Sequence, residues 1–565
     1  MSRASTDAER GTLGPRAAMA LSADARTITA SAPGKVLLVG GYLVLHRPHH
    51  ALIAGASARF HTTAEWEEPA SSRASPAAGL AVRVTSPQFH SDTEFRLSAT
   101  PPHVFEGEEP PSFIALAIRV ALLAAGKAGA AAVAAAAGEG RRLRLTLRAD
   151  NDFYSQLPFL RVAGEPVTAD ALKRVPPFQP PPTEAALAEA EASAAGAVAA
   201  AGSAGRDPAA AGGADGGPAI RKTGLGSSAA LTVSLTAAFA VALGILPGED
   251  AASNGPVGAA GKAWLMRCGQ VSHGLAQGKV GSGFDVSAAV LGTQLYLRVS
   301  RDALADAMGA AGAALRPEAT GAELSAGRAA LAGPEATETR WWDLEAGPAG
   351  LPSCVDLLLA DVSGGSSTPS MVRRIEAWRT EGDTQAALWE EVAAATRSAQ
   401  RALAEVAEAE AAAGADGVAA ALAYAAATTP DAWPRGLPAE EATAGASKLL
   451  ERLAAASAAL AAWRGLMRRM GNEAGVPIEP ASQTALLEAT QALPGVLAAA
   501  VPGAGGFDAI YVLCVRDPAV RAAVEACWLD FKGEGGQRVV PLLLTAEPDD
   551  LVSGGVCIAQ GNPSA

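Results

Sequence analysis

At 565 residues the chain is long enough to bury more than one core, and its formal net charge of −13 disfavours nonspecific nucleic-acid binding as the main task. Hydrophobic residues make up 49% of it, but alanine supplies much of that share, and no run of about 18 strongly apolar residues marks a membrane span. The five cysteines (Cys268, Cys354, Cys514, Cys527 and Cys557) stand singly, which argues against a disulfide framework and a structural zinc site and points to a reducing compartment.

Residues 1–26 mix Arg and Ser with Asp7, Glu9 and Asp24 around no apolar stretch, so they read as a flexible N-terminus rather than a leader. SAPGKVLLVGGY (31–42) opens the folded chain. In Arg142–Arg148 the apolar residues Leu143, Leu145 and Leu147 alternate with polar ones, which predicts a half-buried strand. Val162–Pro218 then passes through VPPFQPPP into Ala/Glu and Gly-rich sequence without apolar periodicity. It reads as a flexible, dispensable low-complexity insert.

KTGLGSSAA (222–230) runs into a convincing helix, and a second helix leads to QGKVGSGFD (277–285). His273 on that second helix reads as a packed or capping residue. A strand is expected at Thr293–Arg298, another insert at Ala303–Thr339, and a core or interface anchor at Trp341-Trp342. A cut near 340 divides an N-terminal domain, 27–340 with its insert at 162–218, from a C-terminal domain, 341–565.

The second half offers a strand at Cys354–Val362, the hydroxyl-rich GGSSTPS (364–370) and an Ala-rich helical surface region at Ala407–Pro438. PGAGGFD (502–508) precedes a buried strand at Ala509–Val515. Asp517-Pro518 supplies an N-cap and first turn for a helix to Trp528, and Val539–Leu544 is a last strand. Strands and helices alternate irregularly, so α+β is favoured over a doubly wound sheet.

The loop at 222–230 is the strongest chemical signal. Glycines there deliver a helix N-terminus whose free amides and macrodipole suit phosphate, with two serine hydroxyls in the first turn. GLGSSA lacks the third glycine of a dinucleotide fingerprint. The Gly-Lys pairs at Gly34, Gly126, Gly261 and Gly278 are followed by Val or Ala, never by the Ser or Thr of a Walker loop. Taken alone, the segment is equally a Ser-capped helix behind a flexible loop.

In order and spacing, SAPGKVLLVGGY, KTGLGSSAA, GKVGSGFD and PGAGGFD resemble the motifs of the GHMP kinases. DNDFYSQ (150–156), GGSSTPS, Gly41 and Phe507 narrow the resemblance to the branch acting on 5-phosphomevalonate. The resemblance implies a GHMP kinase fold: an N-terminal ribosomal-S5-like domain, a C-terminal ferredoxin-like domain and a site in the cleft between them. It implies ATP and Mg²⁺, with Lys222, Thr223, Gly224, Leu225, Gly226, Ser227, Ser228 and Ala229 holding the nucleotide and Ser228 facing the metal. Lys35, Asp285 and Lys222 become the catalytic candidates. Lys279, Ser282, Gly283, Ser366, Ser367, Gly505, Gly506 and Asp508 become the candidates for the acceptor. The expected partners are small molecules, ATP and 5-phosphomevalonate, without nucleic acid or membrane, on a monomer or homodimer. A cytoplasmic location is expected, with a peroxisomal one left open. Mevalonate kinase and a catalytically silent ligand sensor remain as alternatives.

Overall fold

The computed structural model describes residues 27–67, 79–201, 221–248, 253–332, 342–349, 351–362, 368–438, 443–532, 538–544, 546 and 554–560. The expected flexible N-terminus, residues 202–218 of the insert, Trp341, Ser366 and Ser367 lie outside these.

Strands of period two build the first sheet. β1 (Thr27–Val39) pairs antiparallel with β2 (Ala51–Glu67). Beyond them lie β3 (Leu80–Ser86), β4 (Ser91–Leu97), β5 (Phe105–Gly107) and β6 (Arg142–Ala149), in the order β5-β4-β3-β6-β2-β1. Leu143, Leu145 and Leu147 all turn inward on β6, as their alternation predicts. β7 (Gly255–Pro256), β8 (Gln294–Leu297) and β9 (Glu345–Gly347) complete this part of the sheet.

Helices α1 (Ser112–Ala125) and α2 (Lys127–Gly138) join this layer, and the short α3 (Leu157–Val162) and α4 (Ala169–Arg174) lead to α5 (Glu184–Ala201). α6 (Ser227–Ala242) packs on β1 and β2 and is buried on nearly every face, so its apolar run shows no amphipathic stripe. α7 (Ala259–Gln277), α8 (Phe284–Leu291), α9 (Arg301–Ala314) and α10 (Gly321–Ala330) follow. No single described helix is long and apolar enough to cross a membrane.

The second layer begins with β10 (Val355–Val362) and α11 (Thr368–Arg379). The long hairpin α12 (Asp383–Ala427) and α13 (Ala444–Ala474) comes next, then α14 (Ala481–Gln491), β11 (Val496–Ala500), β12 (Ala509–Val515), α15 (Pro518–Asp530) and β13 (Val539–Pro541). The antiparallel order β11-β12-β10-β13 is the split β-α-β arrangement of a ferredoxin-like layer. Asp517 caps α15 by accepting from the amides of Ala519 and Val520, with Pro518 in the first turn, as expected. The chain then returns: β14 (Cys557–Gln560) pairs with β1 and β7. β9 and β14 both lie beyond the expected cut at 340 yet join the first sheet, since only tertiary pairing satisfies those strand edges.

Two expected loops and one expected surface region are corrected. The segment starting at Val162 is not a flexible loop at its beginning. Leu157 and Leu160 of α3, Ala171 and Leu172 of α4, and Val540 form a small core of their own, and Thr168 caps α4 through the amide of Ala171. Four apolar residues on two short helices show no period in sequence, but β13 supplies the surface that buries them. Leu172→Ala is therefore expected to cost about 2 kcal/mol, whereas a short Gly/Ser linker in place of 203–217 shifts stability by less than about 0.5 kcal/mol. Urea melts of both proteins decide it: an unchanged midpoint for Leu172→Ala would return the whole segment to the dispensable loops.

Ala303–Thr339 is likewise not a linker where it is described. α9 buries Leu304, Ala307, Met308, Ala311 and Ala314, and Thr320 and Glu323 form a capping box at the start of α10. The helices approach so closely that a Cβ on Gly327 would lie 2.5 Å from that of Ala314. Ala407–Pro438 is helical as expected but not a surface region. Ala409, Ala421 and Ala425 are buried, α12 packs along α13 with a break at Gly414 (φ 70°), and Trp433 is fully enclosed. Alanine reads as filler in sequence, but it permits close helix–helix approach.

Candidate active site

Two helices begin at left-handed glycines, α6 at Gly226 (φ 78°) and α8 at Gly283 (φ 74°). Positive φ disfavours a side chain at both; a Cβ on Gly283 would also stand 2.1 Å from Gln270 Oε1, and one on Gly226 would lie 3.3 Å from the Lys35 side chain. The loop before α6 is fastened on both sides. Thr223 donates from its amide to Phe153 O and from its hydroxyl to Asp152 O, and the amide of Lys35 donates to Leu225 O at 2.9 Å. Gly34 allows this approach, since a Cβ there would lie 3.1 Å from Leu225 O.

Lys35 thus points from β1 into the loop. Its Nζ donates to Gly224 O at 2.7 Å and lies 5.3 Å from the centre of the Phe284 ring. Burial holds its pKa below the usual 10.5, and the nearby Asp285 carboxylate opposes that shift. Asp285 sits in the first turn of α8, where its Oδ1 accepts from the Val286 amide at 3.0 Å. Its Oδ2 is 3.8 Å from His273 Nε2, and that nitrogen is 3.0 Å from Ser228 Oγ. Asp285 therefore does not cap α8, whose N-cap is Gly283 with no side-chain cap bond; it stands in the first turn with its charge acting on Lys35.

The loop before α8 is held by Tyr296, whose hydroxyl donates to Ser282 O, and by buried Arg298, which donates to Gly281 O and Leu45 O. The turn at 502–508 docks on the far end of β1. Gly503 N donates to Leu37 O, the Tyr42 hydroxyl to Ala504 O, and Gly506 N to Ile478 O. Gly505 is obligatory in that turn, because its φ is 79° and a Cβ would meet Ile478 O at 2.1 Å. The carbonyl of Asp508 accepts from Val362 N at 2.8 Å.

The structure thus brings Lys35, Gly224, Gly226, Ser228 and Asp285 into one cluster, with Ser282 and Gly283 on the loop leading to Asp285. Lys222 and Lys279 are exposed on the approaches, Lys222 with its backbone bridged to Tyr154. Gly505 and Gly506 lie against Ile478 instead, and Asp508 against Val362 at the end of β10.

Residues 450–530 match the family model of the GHMP kinase C-terminal domain. Over 550 residues the chain is 32% identical to the peroxisomal phosphomevalonate kinase of Arabidopsis thaliana, spanning 95% of this chain and 97% of that one. It belongs to the phosphomevalonate kinase family of GHMP kinases. The phosphomevalonate kinase of Gibberella zeae is 29% identical over 553 residues, 93% of this chain and 96% of its own. In fold the chain is similar to the Lin0012 protein of Listeria innocua, with a TM-score of 0.53 at 14% identity over 95% of this chain and 100% of that one.

This family member carries a polar seam that sequence reading missed. Asp361, 2% exposed at the end of β10, accepts from Ser155 Oγ at 2.6 Å and pairs with Arg221 Nη2 at 3.4 Å. Arg221 also donates to Val362 O, and its own carbonyl accepts from Ser155 N. The stem of the glycine loop is thereby tied to the strand that leads into GGSSTPS. Burial raises the Asp361 pKa, Ser155 and Arg221 lower it, and Asp508 adds to the rise. Nothing local in CVDLLLADV flags its second aspartate, whose partners are 206 and 140 residues away. His273 is packed, as the sequence suggests, at 5% exposure, but its contact with Ser228 has no local signal.

Proposed function

We propose that this chain transfers the γ-phosphoryl group of ATP to the phosphate of 5-phosphomevalonate, giving mevalonate 5-diphosphate and ADP. An acceptor phosphate oxygen attacks Pγ, and the bond from Pγ to the β,γ-bridging oxygen breaks as ADP leaves. The observation that carries this reading is Lys35, held between the carbonyl of Gly224 and the Asp285 side of α8, in a chain 32% identical to a phosphomevalonate kinase along 95% of its length. The amides from Gly224 to Ala229 and the α6 dipole receive the nucleotide phosphates. Lys222, Lys279, Ser282 and Gly283 line the approach of the acceptor, with Ser366 and Ser367 proposed beside them. The turn at Gly505, Gly506 and Asp508 sets the acceptor side against β1.

The residues present fit Mg²⁺. Ser228 Oγ and the Asp285 carboxylate are hard oxygen donors on one side of the loop, and among the described residues no cluster of three or more His, Cys, Asp or Glu forms a closed cage. A metal held by one or two protein oxygens and completed by substrate phosphates is the usual Mg²⁺ arrangement. Bound there, it would offset charge on the phosphates of ATP. The five free cysteines support a reducing compartment, cytoplasm or peroxisome.

The test is ADP release by the full chain with ATP and Mg²⁺, run in parallel on 5-phosphomevalonate, mevalonate, galactose and homoserine. We expect kcat/KM for 5-phosphomevalonate to exceed the others by about 10²-fold or more, since a site built for a second phosphate leaves its cations unpaired with the rest. Preference for mevalonate would make the chain a mevalonate kinase. Nucleotide binding with no turnover of any acceptor would make it a sensor.

A further inference from the structure

We propose that His273 is a positioning residue for phosphoryl transfer: its Nε2 accepts the hydrogen bond of the Ser228 hydroxyl and so leaves the oxygen's lone pairs for the metal–nucleotide. The proposal rests on the reading of Ser228 as the metal-facing hydroxyl.

A serine hydroxyl has one proton to give and two lone pairs. Inside a helix it usually gives the proton to the carbonyl four residues back, as Thr232 does to Ser228 O and Thr236 to Thr232 O in α6. For Ser228 that carbonyl would be Gly224 O, which lies outside the helix and already accepts from Lys35 Nζ. Ser228 Oγ instead lies 3.0 Å from His273 Nε2.

The same Nε2 faces the amide nitrogen of Gln277 at 3.1 Å. We place the ring proton on Nδ1, so that the single lone pair of Nε2 is shared by the Ser228 hydroxyl at 3.0 Å and the Gln277 amide N–H at 3.1 Å. Asp285 Oδ2, at 3.8 Å, stands beyond hydrogen-bond reach of Nε2 and stays available to the cleft. The ring cannot swing away: His273 is 5% exposed, with Phe113 packed 5.5 Å from it centre to centre. A buried imidazole thereby orients the hydroxyl without itself touching substrate.

Variants at both positions test this. His273→Phe keeps the ring and the Phe113 contact but removes the acceptor. His273→Gln carries an amide oxygen to about the Nε2 position, and His273→Asn reaches only as far as Nδ1. The readouts are Mn²⁺ affinity of the enzyme with a non-hydrolysable ATP analogue, kcat, KM for 5-phosphomevalonate and thermal melting. His273→Phe is expected to weaken Mn²⁺ binding and lower kcat by about tenfold each, with that KM unchanged. His273→Gln recovers most of both, and His273→Asn, which keeps the falsifying comparison if the Phe variant does not fold, repeats the loss. In a Ser228→Ala background His273→Phe costs nothing further, because the two act as one unit. Equal losses in both backgrounds, or a lowered melting temperature with normal Mn²⁺ affinity, overturn the proposal and leave the Ser228 reading intact. Normal Mn²⁺ affinity in Ser228→Ala alone overturns that reading, and the proposal with it.

Discussion

Lys35→Met is expected to lower turnover at saturating substrates by about 10³-fold, while Asp285→Asn costs about 10²-fold or less. In kinases that phosphorylate a hydroxyl, a placed base removes a proton, and its loss is costly. Here the acceptor is a phosphate monoester with a second pKa near 6, so it is already mainly a dianion at neutral pH. The larger difficulty is bringing two polyanions together, and a half-buried ammonium fixed at Gly224 O offsets that charge where water screens it least. Removing Lys35 also leaves the Asp285 carboxylate unopposed beside the incoming phosphates. Lys222→Met, at an exposed position, is expected to cost less than Lys35→Met.

A pH profile separates the roles. Burial already depresses the Lys35 pKa below 10.5 and Asp285 opposes that depression, so Asp285→Asn lowers it further. Because the cationic form is the active one, the alkaline limb of kcat should move to lower pH in Asp285→Asn. If Asp285→Asn proves the most damaging of the three variants, with its loss following a single acidic ionisation, Asp285 is a base and the charge-offset account fails.

Asp361→Asn is expected to cut kcat/KM for both substrates by about 10²-fold without lowering the melting temperature at pH 7. Asp361 is buried at the seam, where it holds Ser155 and, through Arg221, the stem of the glycine loop. A shift of about an ångström in either loop is enough for a loss of that size. The sign of the stability effect follows from its pKa. Burial raises the folded value above the usual 3.8, so the native state favours the protonated form. That stabilising contribution is complete below the unfolded pKa and is lost as pH rises through the folded one. At neutral pH the ionised carboxylate therefore costs stability, and the uncharged amide removes the cost. Arg221 is nearly half exposed and loses little when its partner becomes neutral. Calorimetric melts at pH 5 and 7 beside steady-state kinetics check this. A variant that melts several degrees lower yet turns over normally would make Asp361 an ordinary structural partner.

Chemistry confined to neighbouring residues was legible in the sequence. Glycines at 226 and 283 stand where a helix is entered with positive φ, and Gly505 stands where a turn requires it. The Asp517-Pro518 cap and the alternation of Leu143, Leu145 and Leu147 likewise appear where local backbone preferences put them. These features act over a few residues, so they survive in a linear reading, and with the four motifs they were enough to name the family.

Tertiary structure alone decided which distant groups meet. Ser155 and Asp361 are 206 residues apart, and Ser228 and His273 are 45 apart on different helices. β14 completes the edge of β1 from the far end of the chain. Leu172 and the alanines of α9 and α12 give no periodic signal strong enough to mark them as core, and they become core because a neighbouring surface covers them. A buried carboxylate or imidazole takes its role from the groups that pair with it and from the water that is excluded around it. Both are set when the two layers close, and neither is written beside the residue in the sequence.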